Sequence, residues 1–117
     1  MPEPKAIQHI KNIRQKIHYI QNIIAQKGSI VAALEDEQNA RAAILMHLTS
    51  IAEQFDKLLH SGELEMLTVF DKEDIKGSHA LRNFIAHDYD GVDLNIVEAV
   101  IEERLPIMLE AIKALRI

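Results

Sequence analysis

Apolar residues recur along this chain at intervals of three and four positions, the period of one face of an α-helix. In the first long stretch this stripe consists of Ile10, Ile13, Ile17, Ile20 and Ile24. Gly28 is predicted to end the helix, Ser29 can cap the next segment, and residues 30–36 indicate a short helical turn or an irregular link. A second long helix is predicted from about Glu37 to His60, with core positions at Ile44, Leu48, Ile51, Phe55 and Leu58.

The second half of the chain predicts two further helices and a short cover segment. Apolar residues within 64–70 are expected to close over the bundle. Asp71 is a good N-cap, so a third helix is predicted over about residues 72–87, followed by a turn. Asp93 is predicted to cap a fourth helix with the stripe Leu94, Val97, Ile101, Leu105, Met108, Ile112 and Leu115. Pro106 lies inside this stripe and should kink the helix or split it in two.

These patterns together predict an all-α fold. Apolar residues make up 48% of the chain and aromatic residues only 4%, a mixture that favours packed helices over a β-sandwich. Amphipathic helices joined by short links indicate an antiparallel four- to five-helix up-down bundle. At 117 residues the chain is expected to form a single domain over residues 1–117.

Composition excludes several classes of function. The chain has no Cys, which removes disulfide frameworks, thiolate zinc sites and Cys nucleophiles. No apolar run approaches the roughly 18 residues of a membrane span, so we expect a cytoplasmic protein with no membrane partner. The net charge of −5 argues against indiscriminate nucleic-acid binding, and no DNA partner is expected.

The charge is nevertheless distributed unevenly. Between Pro4 and Leu34 there are 5 bases and no acid, whereas from Glu35 onward 17 acids oppose 8 bases. One interpretation is a solvated basic face on the first helix. The other is a local track for a phosphate backbone or an acidic partner. The sequence leaves both open.

Reactive side chains gather where the third helix ends. Arg82 offers a fixed fork of donors for phosphate or carboxylate, and His87 can move a proton near neutral pH. Tyr89 adds a hydroxyl that can be modified or can form hydrogen bonds. An alternative is structural, because Arg and His in the last turn of a helix often only complement the helix dipole.

Helical geometry separates two of these side chains. At about 100° per residue, the predicted core face carries Leu81, Phe84 and Ile85, and the opposite arc carries His79, Arg82, Asn83, Ala86 and His87. Within that arc, Arg82 and His87 point roughly 140° apart on an ideal helix. Both would meet one small target most easily if two copies of the chain joined across a two-fold axis.

The pattern Arg-x4-His-x-Tyr, formed by Arg82, His87 and Tyr89, resembles the HEPN superfamily. The similarity is to its HepT-like toxin branch, which belongs to toxin–antitoxin systems of the nucleotidyltransferase (MNT)/HepT type. Asn83 agrees with this, because the branch favours a polar residue directly after the Arg. The segment 88–94 is similar to the turn that leads into the last helix of that family.

A second stretch adds to the resemblance. Residues 51–54, with Glu53 at their centre, are similar to an acid-containing motif on the second long helix of the family. The chain departs from the family pattern in three places: Ala52 stands where many members have Gly, the pair at 97–98 lacks a common Trp, and Ser78 and His79 replace more apolar residues. The helix order matches over nearly the whole chain.

The resemblance implies a metal-independent endoribonuclease that acts on RNA as a HEPN-like homodimer, dimerising through the third and neighbouring helices. It implies that His87 is a general base or acid, that Arg82 holds the scissile phosphate, and that Asn83 orients one of them. Supporting roles are expected for Asp88, His79 and Glu53. No cofactor is expected.

The resemblance also implies a partner. In HepT-like toxins the matching Tyr is AMPylated by a nucleotidyltransferase antitoxin of the MNT type, which assigns that modification to Tyr89. The alternative is a non-catalytic nucleotide- or substrate-binding subunit of a two-component nucleotidyltransferase, in which Arg82 would bind a phosphate without cleaving anything. A purely structural helical adaptor is the third possibility.

Metal catalysis is the rival enzyme class, and the sequence disfavours it. None of the six His has an acid three residues before it, so the di-iron bundle motif is absent, and no His-Glu-x-x-His occurs. His79, His87, Asp88 and Asp90 could chelate an ion only opportunistically, because bundle sites need inward-facing ligands. We therefore expect no metal site.

Overall fold

The computed structural model describes residues 4–117, and every regular element in that range is helical. In order, the α-helices are α1 (Pro4–Lys27), α2 (Ile30–Glu35), α3 (Ala40–His60), α4 (Leu64–Leu67), α5 (Lys72–His87), α6 (Leu94–Ala99) and α7 (Leu105–Ala114). A 3-10 turn, Tyr89–Gly91, lies between α5 and α6, and a π-helical segment, Val100–Arg104, joins α6 to α7. The predicted all-α helical bundle is confirmed.

Local side-chain caps explain where the helices begin. The first turns of α2, α5 and α6 each donate a backbone N–H to a predicted cap, supplied by Ser29, Asp71 and Asp93. Helix α3 begins at Ala40 rather than near Glu37, because the Asp36 carboxylate accepts the Ala40 N–H at 3.1 Å and fixes a turn ahead of the helix. Satisfying these otherwise unpaired N–H groups is what sets the starts.

The predicted apolar stripes form the core. The stripe of α1 is buried from Ile10 to Ile20, and that of α3 from Ile44 to Leu58. His9 of α1 contacts Gln54 of α3, whereas Tyr19 lies against His47, so the two helices run antiparallel. Among residues 4–117, none of the helices combines the length and the hydropathy that a membrane crossing requires.

The cover segment behaves as predicted. Met66 of α4 and Phe70 after it are buried, and the ring of Phe70 meets that of Phe55 edge-on, with 5.0 Å between the centroids. Edge-to-face rings at this separation are favourable beyond their burial. The segment therefore closes the bundle over α3.

Pro106 splits the last helix, as predicted. A proline lacks the backbone N–H, and in an α-helix its ring collides with the carbonyl four residues earlier. The helix avoids this collision by widening into the π-helical segment, where the N–H of Leu105 donates to the carbonyl of Val100. The widened turn ends at Arg104.

An ion pair joins this turn to α5. Nε and Nη2 of Arg104 donate to the two carboxylate oxygens of Asp74, over 2.6 and 3.0 Å. The Asp74 side chain is only 4% exposed, and its hydrogen bond raises the pKa of Arg104 above the ordinary value. A two-point pair of this kind fixes both position and rotation, so it locks α5 against the C-terminal helices.

One predicted face of α5 is wrong. Leu81 is buried and Ile85 partly buried, but Phe84, which the sequence placed with them, is 62% exposed. The reason is that the inward-facing positions of α5 include Asp74 and Ser78. Because these two residues are polar, the sequence does not mark their positions as inward-facing. Including these two positions rotates the inward direction away from Phe84.

Candidate active site on helix α5

Asp56 of α3 binds two side chains of α5. Nη1 of Arg82 lies 2.6 Å from Oδ2 of Asp56, and Nε2 of His79 lies 3.0 Å from Oδ1. Each carboxylate oxygen therefore serves one partner. All three side chains are partly exposed, so the pairing holds the guanidinium in a defined position at the protein surface.

The Arg82 guanidinium keeps donors that Asp56 does not use. A guanidinium carries five N–H groups in a planar fork, and the hydrogen bond to Asp56 runs through Nη1. Because the side chain is only partly buried, an incoming phosphate can reach the remaining donors. A charge-assisted contact of this kind is among the stronger hydrogen bonds available to a protein.

Asp56 is the site residue that the sequence analysis missed. On α3 the sequence predicts a supporting acid at Glu53, which lies exposed. Asp56 directly follows the core residue Phe55, just as Arg82 follows the core residue Leu81. Opposite charges that flank two packed apolar stripes tend to pair, and this was the signal that could have found it.

Asn83 and His87 lie on the exposed side of α5. Together with Ala80 and Phe84 they line a shallow depression of about 320 Å³. The four residues follow the three- and four-residue spacing of one helix face. The imidazole and the amide therefore sit beside an apolar surface that is open to solvent.

An apolar groove of about 240 Å³ adjoins this depression. It runs between α5 and the start of α6, and its exposed large apolar walls are Phe84, at 62%, and Ile96, at 52%. Val92 and Leu81 form its buried floor. Contiguous exposed apolar surface of this kind commonly marks an interaction site.

The turn after α5 is closed by Asp88. Its Oδ1 and its backbone carbonyl each accept the N–H of Gly91 over 3.1 Å. A Cβ at position 91 would overlap the Asp88 carboxylate, so any larger residue there would push this side chain out of the turn. Tyr89 is the first residue of this turn and is 42% exposed.

The predicted site residues thus fall into two groups around α5. Arg82 and His79 are turned toward α3, whereas Asn83 and His87 lie on the exposed side. This agrees with the angle of roughly 140° expected between Arg82 and His87. In the described part of the chain, residues 4–117, no three His, Asp or Glu side chains lie close enough to hold a metal ion.

Comparison with known proteins identifies the family. The profile of one protein family, described as ribonuclease HepT-like, matches residues 6–115, which is nearly the whole chain and includes every residue of the Arg-x4-His-x-Tyr motif. No curated protein and no solved structure gives a significant match. The chain belongs to the HepT-like ribonuclease family of the HEPN superfamily.

Proposed function

We propose that this chain is a toxin of a toxin–antitoxin system, an endoribonuclease that cuts RNA as a homodimer without a metal ion. A nucleotidyltransferase antitoxin of the MNT type neutralises it by AMPylating Tyr89. Family membership supports ribonuclease activity. The observation that carries the proposal is the divided motif, with Arg82 held by Asp56 on one side of α5 and His87 exposed on the other.

RNA carries its own nucleophile, so the protein has only to manage protons and charge. The 2′-oxygen attacks the adjacent phosphorus and gives its proton to a base, while the bond from phosphorus to the 5′-oxygen breaks and that oxygen takes up a proton. His87 takes or gives one of these protons, a contribution of about 10²–10⁴-fold in rate. The products are a 2′,3′-cyclic phosphate and a 5′-hydroxyl.

Arg82 stabilises the negative charge that develops on the phosphate oxygens. A cation already fixed in position does this without having to reorganise during the reaction, and the 2.6 Å bond to Asp56 supplies the fixing. Asp56 and His79 are therefore positioning residues. Asn83 orients the phosphate or the imidazole, Asp88 supports the turn, and a role for Glu53 stays a prediction.

Two copies of the chain complete the site. The exposed side of α5 carries Ala80, Asn83, Phe84 and His87, and small residues beside an aromatic ring allow two such helices to approach closely. A two-fold axis places the same surface on both partners. The resulting groove combines Arg82 of one copy with His87 of the other, which a single α5 helix keeps apart.

Tyr89 is the regulatory residue in this proposal. It follows His87 by two positions and is exposed in a turn fixed by Asp88. Adding AMP attaches a negative phosphodiester and a bulky nucleoside, which compete with RNA for Arg82 and fill the groove. Modification therefore stops cleavage without unfolding the protein.

Cleavage by purified protein tests the catalytic part. With EDTA present, the wild type should cut single-stranded RNA and leave 2′,3′-cyclic phosphate ends. His87→Ala should lower the rate about 10²–10⁴-fold, and Arg82→Ala about 10²-fold or more. His60→Ala is the control, because His60 also lies exposed in the last turn of a helix. Its Nδ1 contacts the backbone carbonyl of Asp56 and leaves the Asp56 carboxylate to Arg82 and His79.

The outcomes separate the alternatives. Equal losses for His87→Ala and His60→Ala would mean that histidine only complements the helix dipole. Nucleotide binding without any RNA cleavage would favour the binding subunit of a two-component nucleotidyltransferase. If Arg82→Ala and His87→Ala change nothing measurable, only the structural adaptor is left.

Modification is tested separately, by mass spectrometry after incubation with the partner nucleotidyltransferase and ATP. The chain has two tyrosines, and Tyr19 is exposed nearly as much as Tyr89, 39% against 42%. AMP on the peptide containing Tyr89 and none on that containing Tyr19 is expected. An unmodified Tyr89 peptide would refute this part of the proposal.

A further inference from the structure

Helix α1 carries a solvent-facing surface that the proposed reaction does not use. Six of its side chains define what we call the polar α1 face: Gln8, Lys11, Asn12, Gln15, His18 and Tyr19. They line a shallow depression of about 330 Å³. Amide side chains occupy most of this face, with Lys11 and His18 among them and the phenol of Tyr19 at one end.

The charge of this face is opposite to that of the rest of the protein. No acid occurs between Pro4 and Leu34, whereas the complete chain carries a net charge of −5. An anionic polymer approaching the protein is therefore repelled by most of its surface and attracted here. Such a local field raises the concentration of a polyanion at one place.

An aromatic platform lies at the edge of the face. The rings of Tyr19 and His47 are 5.3 Å apart, and Nζ of Lys16 lies 5.5 Å from the centre of the Tyr19 ring. Burial and the charge of Lys16 lower the pKa of His47. An aromatic ring with an ammonium group over it combines a stacking surface for an unpaired base with a cation for the adjoining phosphate.

The same face lacks what a protein partner needs. Along residues 4–27, Tyr19 is the only large apolar side chain that is exposed. Stable protein interfaces are built around apolar and aromatic cores with a polar rim. The face therefore suits a phosphate backbone better than an acidic protein.

One end of the polar α1 face lies level with the catalytic motif. His9 and Asn12 contact Gln54 of α3, at 2.9 and 3.3 Å. Asp56, two residues further along α3, binds Arg82. An RNA strand bound along α1 thus has only to cross α3 to reach the motif. Because packed helices have axes about 8–10 Å apart, this distance is short.

We propose that the polar α1 face binds the ribose–phosphate backbone of single-stranded RNA, with an unpaired base stacked on Tyr19, and so holds the substrate beside the motif. This inference rests on the proposed ribonuclease function and identifies the surface that binds its RNA substrate. It resolves the uneven charge of the sequence in favour of a phosphate track.

Binding of a 2′-O-methyl oligonucleotide measures the affinity for single-stranded RNA without cleavage, because the probe has no free 2′-hydroxyl to act as the nucleophile. Fluorescence anisotropy at several salt concentrations gives the affinity and its salt dependence. The double variant Lys11→Gln/Lys16→Gln should bind about ten-fold more weakly and lower the salt slope by about 1.4, since each phosphate contact on a single strand contributes about 0.7. Tyr19→Ala should weaken binding about five-fold or more, and Tyr19→Phe should not.

The control is Lys72→Gln/Lys113→Gln, which removes the same charge from exposed sites on α5 and α7. An α1 variant that binds like this control would overturn the inference, as would a wild type that does not bind the probe. If poly-aspartate displaced the probe as effectively as unlabelled RNA does, the face would be reassigned to an acidic protein partner. If the wild type cleaves RNA but the α1 variants bind the probe as tightly as the wild type, only this inference is refuted. If the α1 variants bind the probe more weakly but the wild type does not cleave RNA, only the proposed nuclease activity is refuted.

Discussion

Replacing Phe84 by alanine tests whether the exposed side of α5 is covered by a second copy. Burying a Phe removes about 150–250 Å² from water, and Phe84 is 62% exposed in the single chain. Roughly 120 Å² per copy therefore remains to be covered, or about 240 Å² for the pair, taking a mid-range Phe. At about 25 cal/mol per Å² this is on the order of 6 kcal/mol before the costs of association.

If the partner buries only part of each Phe84 side chain, the free energy gained on dimerisation is smaller. If half of the area is buried, Phe84→Ala should cost about 3 kcal/mol and raise the dimer Kd about 10²-fold. Sedimentation velocity over a dilution series measures that shift. Cleavage of RNA should fall in parallel and recover at high protein concentration, because the groove requires both copies.

Met46→Ala provides the control, since Met46 is 71% exposed on α3, away from the motif. It should change neither the dimer nor cleavage. Thermal unfolding should confirm that Phe84→Ala leaves the monomer folded, as expected for a side chain outside the core. A wild type that stays monomeric, or a Phe84→Ala dimer as tight as the wild type, would refute the reasoning.

Further predictions concern the positioning of the site and its stability. Asp56→Asn should lower kcat of RNA cleavage about 10-fold or more with a smaller change in KM, because Arg82 loses its charged anchor; an unchanged kcat would remove Asp56 from the site. Gly91→Ala should expel the Asp88 carboxylate from the turn and lower Tm by several degrees, about 1 kcal/mol for a lost cap; an unchanged melting curve would contradict this. Burial lowers the pKa of His47 below its ordinary 6.5, so the stability that comes from keeping it neutral is present above pH 6.5 and is lost as the pH falls below it. Urea unfolding of wild type and His47→Gln on both sides of pH 6.5 should show that the variant loses part of this pH dependence.

Helix positions were predictable because they depend on local rules. Apolar spacing located every long helix, capping side chains set the starts of α5 and α6, and Pro106 marked the division of the last helix. The start of α3 was less predictable, because the Asp36 carboxylate determines it from outside the helix. Such a contact leaves no periodic signal in the sequence.

The candidate site was predictable only in part. The motif residues on α5 are contiguous in sequence and resemble a known family, so Arg82 and His87 could be proposed without a structure. Asp56 is 26 positions from Arg82, and only the packing of α3 against α5 brings them together. The exposure of Phe84 was missed because the inward stripe of α5 includes the polar residue Asp74, which is buried by its pair with Arg104.

Mixing two inactive variants tests the shared groove most directly. Arg82→Ala and His87→Ala should each fail to cut RNA, but a mixed dimer of the two contains one groove with both residues intact. After subunit exchange, half of the dimers are mixed and each has one of two grooves working, so about a quarter of wild-type cleavage should return. A mixture as inactive as its two components would contradict the proposal that each catalytic groove combines Arg82 of one copy with His87 of the other.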